Sequence, residues 1–98
     1  MSPSVFQRKL KNARKQTRIA LLEVVSDVTS KTEIDVEAFA TIIRLAIFSG
    51  LAPEDIARCL SVSRNGVMRW ADESMSPHEL ARGELVVKIR NMLKTQEF

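Results

Sequence analysis

The chain is predicted to be an all-α, five-helix bundle, and three observations carry that expectation. Glycine stands only at positions 50, 66 and 83 and proline only at 3, 53 and 77, so long stretches run without a local breaker. Between these points apolar residues recur at three- and four-residue steps, and no run alternates apolar with polar as a half-buried strand does. The composition, 45% apolar and 28% charged over 98 residues, suits one small soluble core and excludes a disordered tail.

The first helix is expected from about Val5 to Val28, on the spacing of Phe6, Leu10, Ala13, Thr17, Leu21, Val24 and Val28. Its N-terminal half is basic outside that stripe. Its C-terminal half, "IALLEVV", is apolar nearly all round and is therefore expected to be buried. Residues 29–34, "TSKTEI", read as a connection, with Asp35 as N-cap of a second helix from Val36 to Ser49. Phe39, Ile42, Ile43, Ala46 and Ile47 share one face of it, and Gly50 suits the left-handed position that closes a helix. Residues 1–34 thus form a basic-to-apolar helix with its connection, and residues 35–98 the remaining domain, the whole folding as a single globular unit.

A third helix is expected to start at Pro53, whose missing N–H and fixed φ suit the first helical position, with Glu54 and Asp55 complementing the dipole. It runs to about Leu60. Ser61 and Val62 make a turn, and Ser63 caps a fourth helix from Arg64 to about Glu73. In "SPHE", Ser76 reads as N-cap, Pro77 as first residue and Glu79 as capping-box partner of a last helix that reaches about Leu93. Leu80, Leu85, Val86, Ile89 and Leu93 are expected on its inner side.

Two short helices joined by a tight turn, with a helix on each side, suggest a helix-turn-helix. Ile56, Ala57 and Leu60 on the first, Val62 in the turn, and Val67 and Trp70 on the second would share one apolar contact. Small Ala57 would sit where the helices cross closely. The pattern over Pro53 to Asp72 resembles the Cro and phage-repressor (Xre-type) helix-turn-helix family, and with the flanking helices the resemblance extends from Asp35 to Leu93. Residues 1–34 lie outside it. Two positions depart from the family. Ser61 stands where glycine is common, at a cost of about 1–2 kcal/mol for left-handed geometry. Gly66 stands in the helix that would read DNA, where it either permits close approach to a phosphate or base edge or marks a degraded reading surface.

The resemblance implies that Arg64 to Asp72 enters the major groove of double-stranded DNA, with Ser63 and the first turn nearest the duplex. Arg64 and Arg69 could each donate two hydrogen bonds to guanine, Asn65 could pair with adenine, and Met68 could touch a thymine methyl. Asp72 would accept from a cytosine amino group or point away. Phosphate positioning would fall to Arg44, Arg58 and the basic first helix, which carries six bases and no acid over residues 1–22. That basic run fits a solvated amphipathic face as well as a nucleic-acid arm, while its thin apolar face argues against a membrane surface.

Other chemistries find little support. Cys59 is the only cysteine and His78 the only histidine, so no disulfide framework or zinc-ligand spacing is present. Cys59 is expected as a partly buried filler and His78 as an exposed or capping residue. With no nucleophile triad, phosphate loop or carboxylate dyad, no enzymatic activity and no cofactor are expected. No apolar run reaches a membrane span and no signal core opens the chain, so a cytoplasmic location is expected. Two function classes remain: a small sequence-specific transcriptional regulator, acting as a homodimer, and a protein-interaction module on the same scaffold, such as an antiactivator or antitoxin-like partner. Gly66, Asp72 and Glu73 favour the second.

Overall fold

The computed structural model describes residues 4–95. Among them are five helices and no strand: α1 (Ser4–Val25), α2 (Val36–Ser49), α3 (Pro53–Leu60), α4 (Arg64–Ala71) and α5 (Glu79–Thr95). No helix among these residues is long and apolar enough to cross a membrane.

The most apolar helix, α2, lies at the centre and packs against α1, α4 and α5. Asp35 Oδ1 accepts from the Ala38 N–H at 2.7 Å, which fixes the first turn. Gly50, at φ 127°, and Leu51 return their N–H groups to the Ile47 and Ala46 carbonyls and end it. Phe39, Ala40, Ile43 and Ala46 are buried on its inner side. Phe39 meets Trp70 of α4 edge to face, with ring centroids 5.6 Å apart, an arrangement that favours both quadrupoles. Ile56, Ala57, Leu60, Val67 and Trp70 are all buried in the same core, with Val62 packed against it.

α5 closes the other side with Val86, Ile89 and Leu93 buried. It comes so close to the 29–32 turn that a Cβ on Gly83 would lie 2.7 Å from the Thr29 carbonyl oxygen and 2.9 Å from that of Thr32. Two arginines tie α5 to the same connection. Arg82 Nη1 donates to the Ile34 carbonyl at 2.9 Å, and Arg90 Nη1 donates to the carbonyls of Val28 at 2.8 Å and Ser26 at 3.2 Å.

Several expectations need correction. α1 ends at Val25 and not at Val28, because Ser26 and Val28 turn the chain back on Glu23 and Val25 and Arg90 takes the freed carbonyls. Its buried residues are Leu21 and Val25; Val24 is 71% and Phe6 67% exposed. The "IALLEVV" half is therefore not buried all round, since Ile19 also faces outward. α4 stops at Ala71, ahead of Glu73, whose φ of 63° is left-handed. α5 begins at Glu79. Ser76 does not cap it, because its Oγ accepts from Arg82 Nε; His78 Nδ1 accepts from the Leu80 N–H instead. Leu80 consequently faces solvent at 77% exposure. Cys59 is exposed, not a filler.

Candidate functional site

α3 and α4 pack on each other through a three-residue turn. Ser61 adopts the left-handed conformation at φ 58° and ψ 42°, so its N–H and that of Val62 reach back to the carbonyls of Arg58 and Ala57. Ser63 then returns to extended backbone, and its Oγ accepts from the Gly66 N–H at 3.0 Å. That cap starts α4 at a fixed angle to α3.

On α4 the buried residues are Val67, Trp70 and Ala71. Arg64, Asn65, Met68 and Arg69 are all exposed. Their spacing, two adjacent pairs four residues apart, puts them on one outward face. The structure thus brings together four of the residues singled out in the sequence, with Ser63 at one end and exposed Asp72 just beyond the other.

The face is electrically balanced. Residues 53–73 hold three bases and four acids. Arg64 Nε lies 2.7 Å from Glu54 Oε1 of α3. Glu54's own backbone N–H, and after it the Arg64 side chain, hold the Glu54 carboxyl below the usual carboxylate range. Asp72 is held low as well, first by the Ser74 side chain, then by the Ser74 N–H, which donates to Oδ1 at 2.8 Å, and to a smaller degree by Arg69. Arg69 Nη1 contacts Met75 Sδ at 3.6 Å. Both Arg64 and Glu54 are more than half exposed, so water screens the pair and either partner can exchange it for another.

Arg44 and Arg58 sit apart from that face. Arg44, on α2, donates to the Ala71 carbonyl at the end of α4 and lies 3.9 Å from Glu73 Oε2. It acts as a C-terminal clasp for α4. Arg58 pairs with Asp55 one turn back on α3, at 3.3 Å.

Sequence reasoning missed the shape of a second feature. α1 extends beyond the bundle and gives the molecule a long axis of 50 Å against 28 and 22 Å. Its basic half and the Ser49–Gly50 turn of α2 enclose a notch of about 800 Å³. Arg8, Lys11, Arg14, Lys15 and Arg18 line it and no acid does. The Arg14 guanidinium stands 6.0 Å from the centre of the Phe48 ring. The steps 8, 11, 15 and 18 betray one face of a helix, but only the tertiary arrangement shows that this face is concave. No group of three or more potential metal ligands occurs among the described residues. No protein-family model, curated protein or solved structure matches the chain.

Proposed function

We propose that the chain is a small sequence-specific DNA-binding transcriptional regulator whose α3–turn–α4 unit acts as a helix-turn-helix, as the resemblance to the Cro and phage-repressor family implies. One observation carries the reading. α4 buries Val67, Trp70 and Ala71 and turns Arg64, Asn65, Met68 and Arg69 outward together. A helix is about 10–12 Å across with its side chains, which a major groove about 12 Å wide accommodates. Arg64 and Arg69 then reach guanine, Asn65 reaches adenine, and Met68 lies against a thymine methyl. Each good bidentate pair discriminates by about 1–3 kcal/mol. A two-fold homodimer would set two such helices about 34 Å apart on a symmetric site.

Selection of binding sites from random-sequence duplexes, at two salt concentrations, tests this reading. Enrichment of one motif by the wild-type chain, lost with Arg69→Ala at unchanged helical content, is the expected result. No enriched motif at either salt concentration overturns it.

A protein-interaction module of the antiactivator or antitoxin kind is the second reading, and a separate observation favours it. Val24 of α1 and Leu45 of α2 lie exposed along an apolar groove of about 600 Å³ between the two helices, rimmed by Asp35 and Glu37. A chain that stays monomeric in solution and enriches no DNA motif would favour this reading.

A further inference from the structure

The notch beneath α1 serves neither the α4 face nor the core. On a helical wheel at 100° per residue, Arg8, Lys11, Arg14, Lys15 and Arg18 fall within an arc of about 120°. Leu21 and Val25, the buried residues of α1, continue the same side of the helix. One side of α1 is therefore apolar where it packs on the bundle and basic where it leaves it. The cations consequently face back toward the body of the protein and line a concave wall. A merely solvated helix would gain nothing from this placement, since like charges crowded along a concavity raise one another's energy.

Among the described residues no acid lines the notch, and the C-terminal end of α2, where Ser49 and Gly50 form the floor, brings only a partial negative charge to it. It amounts to about half an elementary charge, and the Ala46 and Ile47 carbonyls there already accept hydrogen bonds. The four charges of Arg8, Lys11, Arg14 and Lys15 outweigh it. A second copy of α1 is a poor occupant, because it would bring its own bases with no acid over residues 1–22. A polyanion is a good one.

We infer that this notch seats the phosphodiester backbone of duplex DNA and supplies the sequence-independent part of binding, the choice of DNA as the polyanion resting on the reading of α4 given above. Arg8 to Arg18 spans about 15 Å along the helix axis, over which one strand presents about four phosphates. Residues 53–73, the α3–turn–α4 unit with the two residues that follow it, hold three bases and four acids and cannot provide that attraction by themselves. Of the positions the sequence suggested for it besides the basic first helix, Arg44 is engaged with Ala71 and Glu73, and Arg58 adds a single exposed charge beside Asp55.

The test is the salt dependence of binding by the full chain to a labelled random-sequence duplex, read by anisotropy. Each phosphate neutralised adds about 0.9 to the slope of log affinity against log salt. The variant Arg8→Gln/Lys11→Gln/Lys15→Gln, with glutamine chosen to keep helix propensity, is expected to lower that slope by about 2.7. For the contribution of Arg8, Lys11, Arg14 and Lys15, the loss of affinity between 50 and 200 mM salt should fall from roughly 150-fold to roughly 4-fold. Arg69→Ala should leave at least two thirds of the wild-type slope. Unchanged slope and affinity in the triple variant, at wild-type helical content, overturn the inference, as does binding to vesicles of phosphatidylserine and phosphatidylcholine with none to the duplex. A motif enriched by selection together with an unchanged slope would sink the notch and leave the reading of α4 standing. A lowered slope with no enriched motif would do the reverse.

Discussion

At Gly83 and Gly66 an added methyl group meets opposite surroundings. The Cβ of an alanine at 83 would lie between 2.7 and 3.0 Å from three backbone carbonyl oxygens, those of Thr29, Thr32 and Ser30. Arg90 at Val28 and Arg82 at Ile34 anchor the backbone on both sides of these carbonyls and resist its stepping aside. At 66 the nearest atoms are Ser63 Oγ at 3.3 Å and Val62 Cβ at 3.8 Å, both on side chains. Gly83→Ala is expected to destabilise by about 2–3 kcal/mol, the upper part of the range for an overpacked contact. Gly66→Ala gains up to about 1 kcal/mol of helix propensity and loses part of it by nudging the Ser63 cap, so it should be neutral or mildly stabilising. Urea denaturation of the two variants checks the contrast, and equal destabilisation would refute it. The sequence offered two explanations for Gly66, close approach to DNA or a worn reading surface. The geometry adds a local one, since a bare Cα there leaves the cap unhindered. Gly83 gave no local signal because its reason lies about 50 positions away in the chain.

Among the elements, α2 and α3 were legible almost to the residue, because each is bounded by local chemistry: Asp35 and Gly50 for one, Pro53 and Ser61 for the other. The boundaries set by tertiary contacts were not. "SPHE" has the pattern of a capping box, yet Arg82 draws Ser76 into a tertiary network through Ser76 Oγ and the Pro77 and Ile34 carbonyls, and the helix starts later. The end of α1 is decided in the same way, by Arg90. Its Nη1 reaches the Val28, Ser26 and Val25 carbonyls at 2.8, 3.2 and 3.4 Å, so a residue on α5 closes the C-terminal end of α1. Hydrogen bonds to a charged group contribute about 1.5–3 kcal/mol. Against that stands the buried Nε of Arg90, which has no partner among the described residues. Arg90→Met, which keeps the apolar stem and removes both effects, is expected to cost about 2 kcal/mol. Arg90→Lys, whose ammonium offers three donors, should restore part of it. Thermal unfolding of both variants measures this, and a Met variant as stable as wild type would show that the clasp contributes nothing.

At the scale of the whole molecule, the question is whether α1 is an appendage or a structural member. The resemblance covers Asp35 to Leu93 and leaves the first 34 residues outside it, which invites the view that they are dispensable. The core says otherwise for the second half of α1. Leu21, Val25 and Ile34 are buried with Phe39, Ile43, Val86 and Ile89 in one cluster. Removing them forfeits about 1.5–3 kcal/mol each, together roughly 5–9 kcal/mol, against a total stability of roughly 5–15 kcal/mol for a domain. Arg90 would lose its Val25, Ser26 and Val28 acceptors, and Arg82 its Ile34 acceptor, in the same stroke. A chain of residues 35–98 is therefore expected to be largely unfolded. Residues 4–15 differ, since only Ser4 and Leu10 among them are even partly covered. A chain beginning at Gln16 should keep its cooperative transition near the wild-type midpoint while losing Arg8, Lys11, Arg14 and Lys15 from the notch. Circular dichroism of the two truncations decides the matter. A folded 35–98 fragment would make α1 an appendage, whereas an unfolded one beside a stable 16–98 chain would place the division between fold and charge within α1 itself.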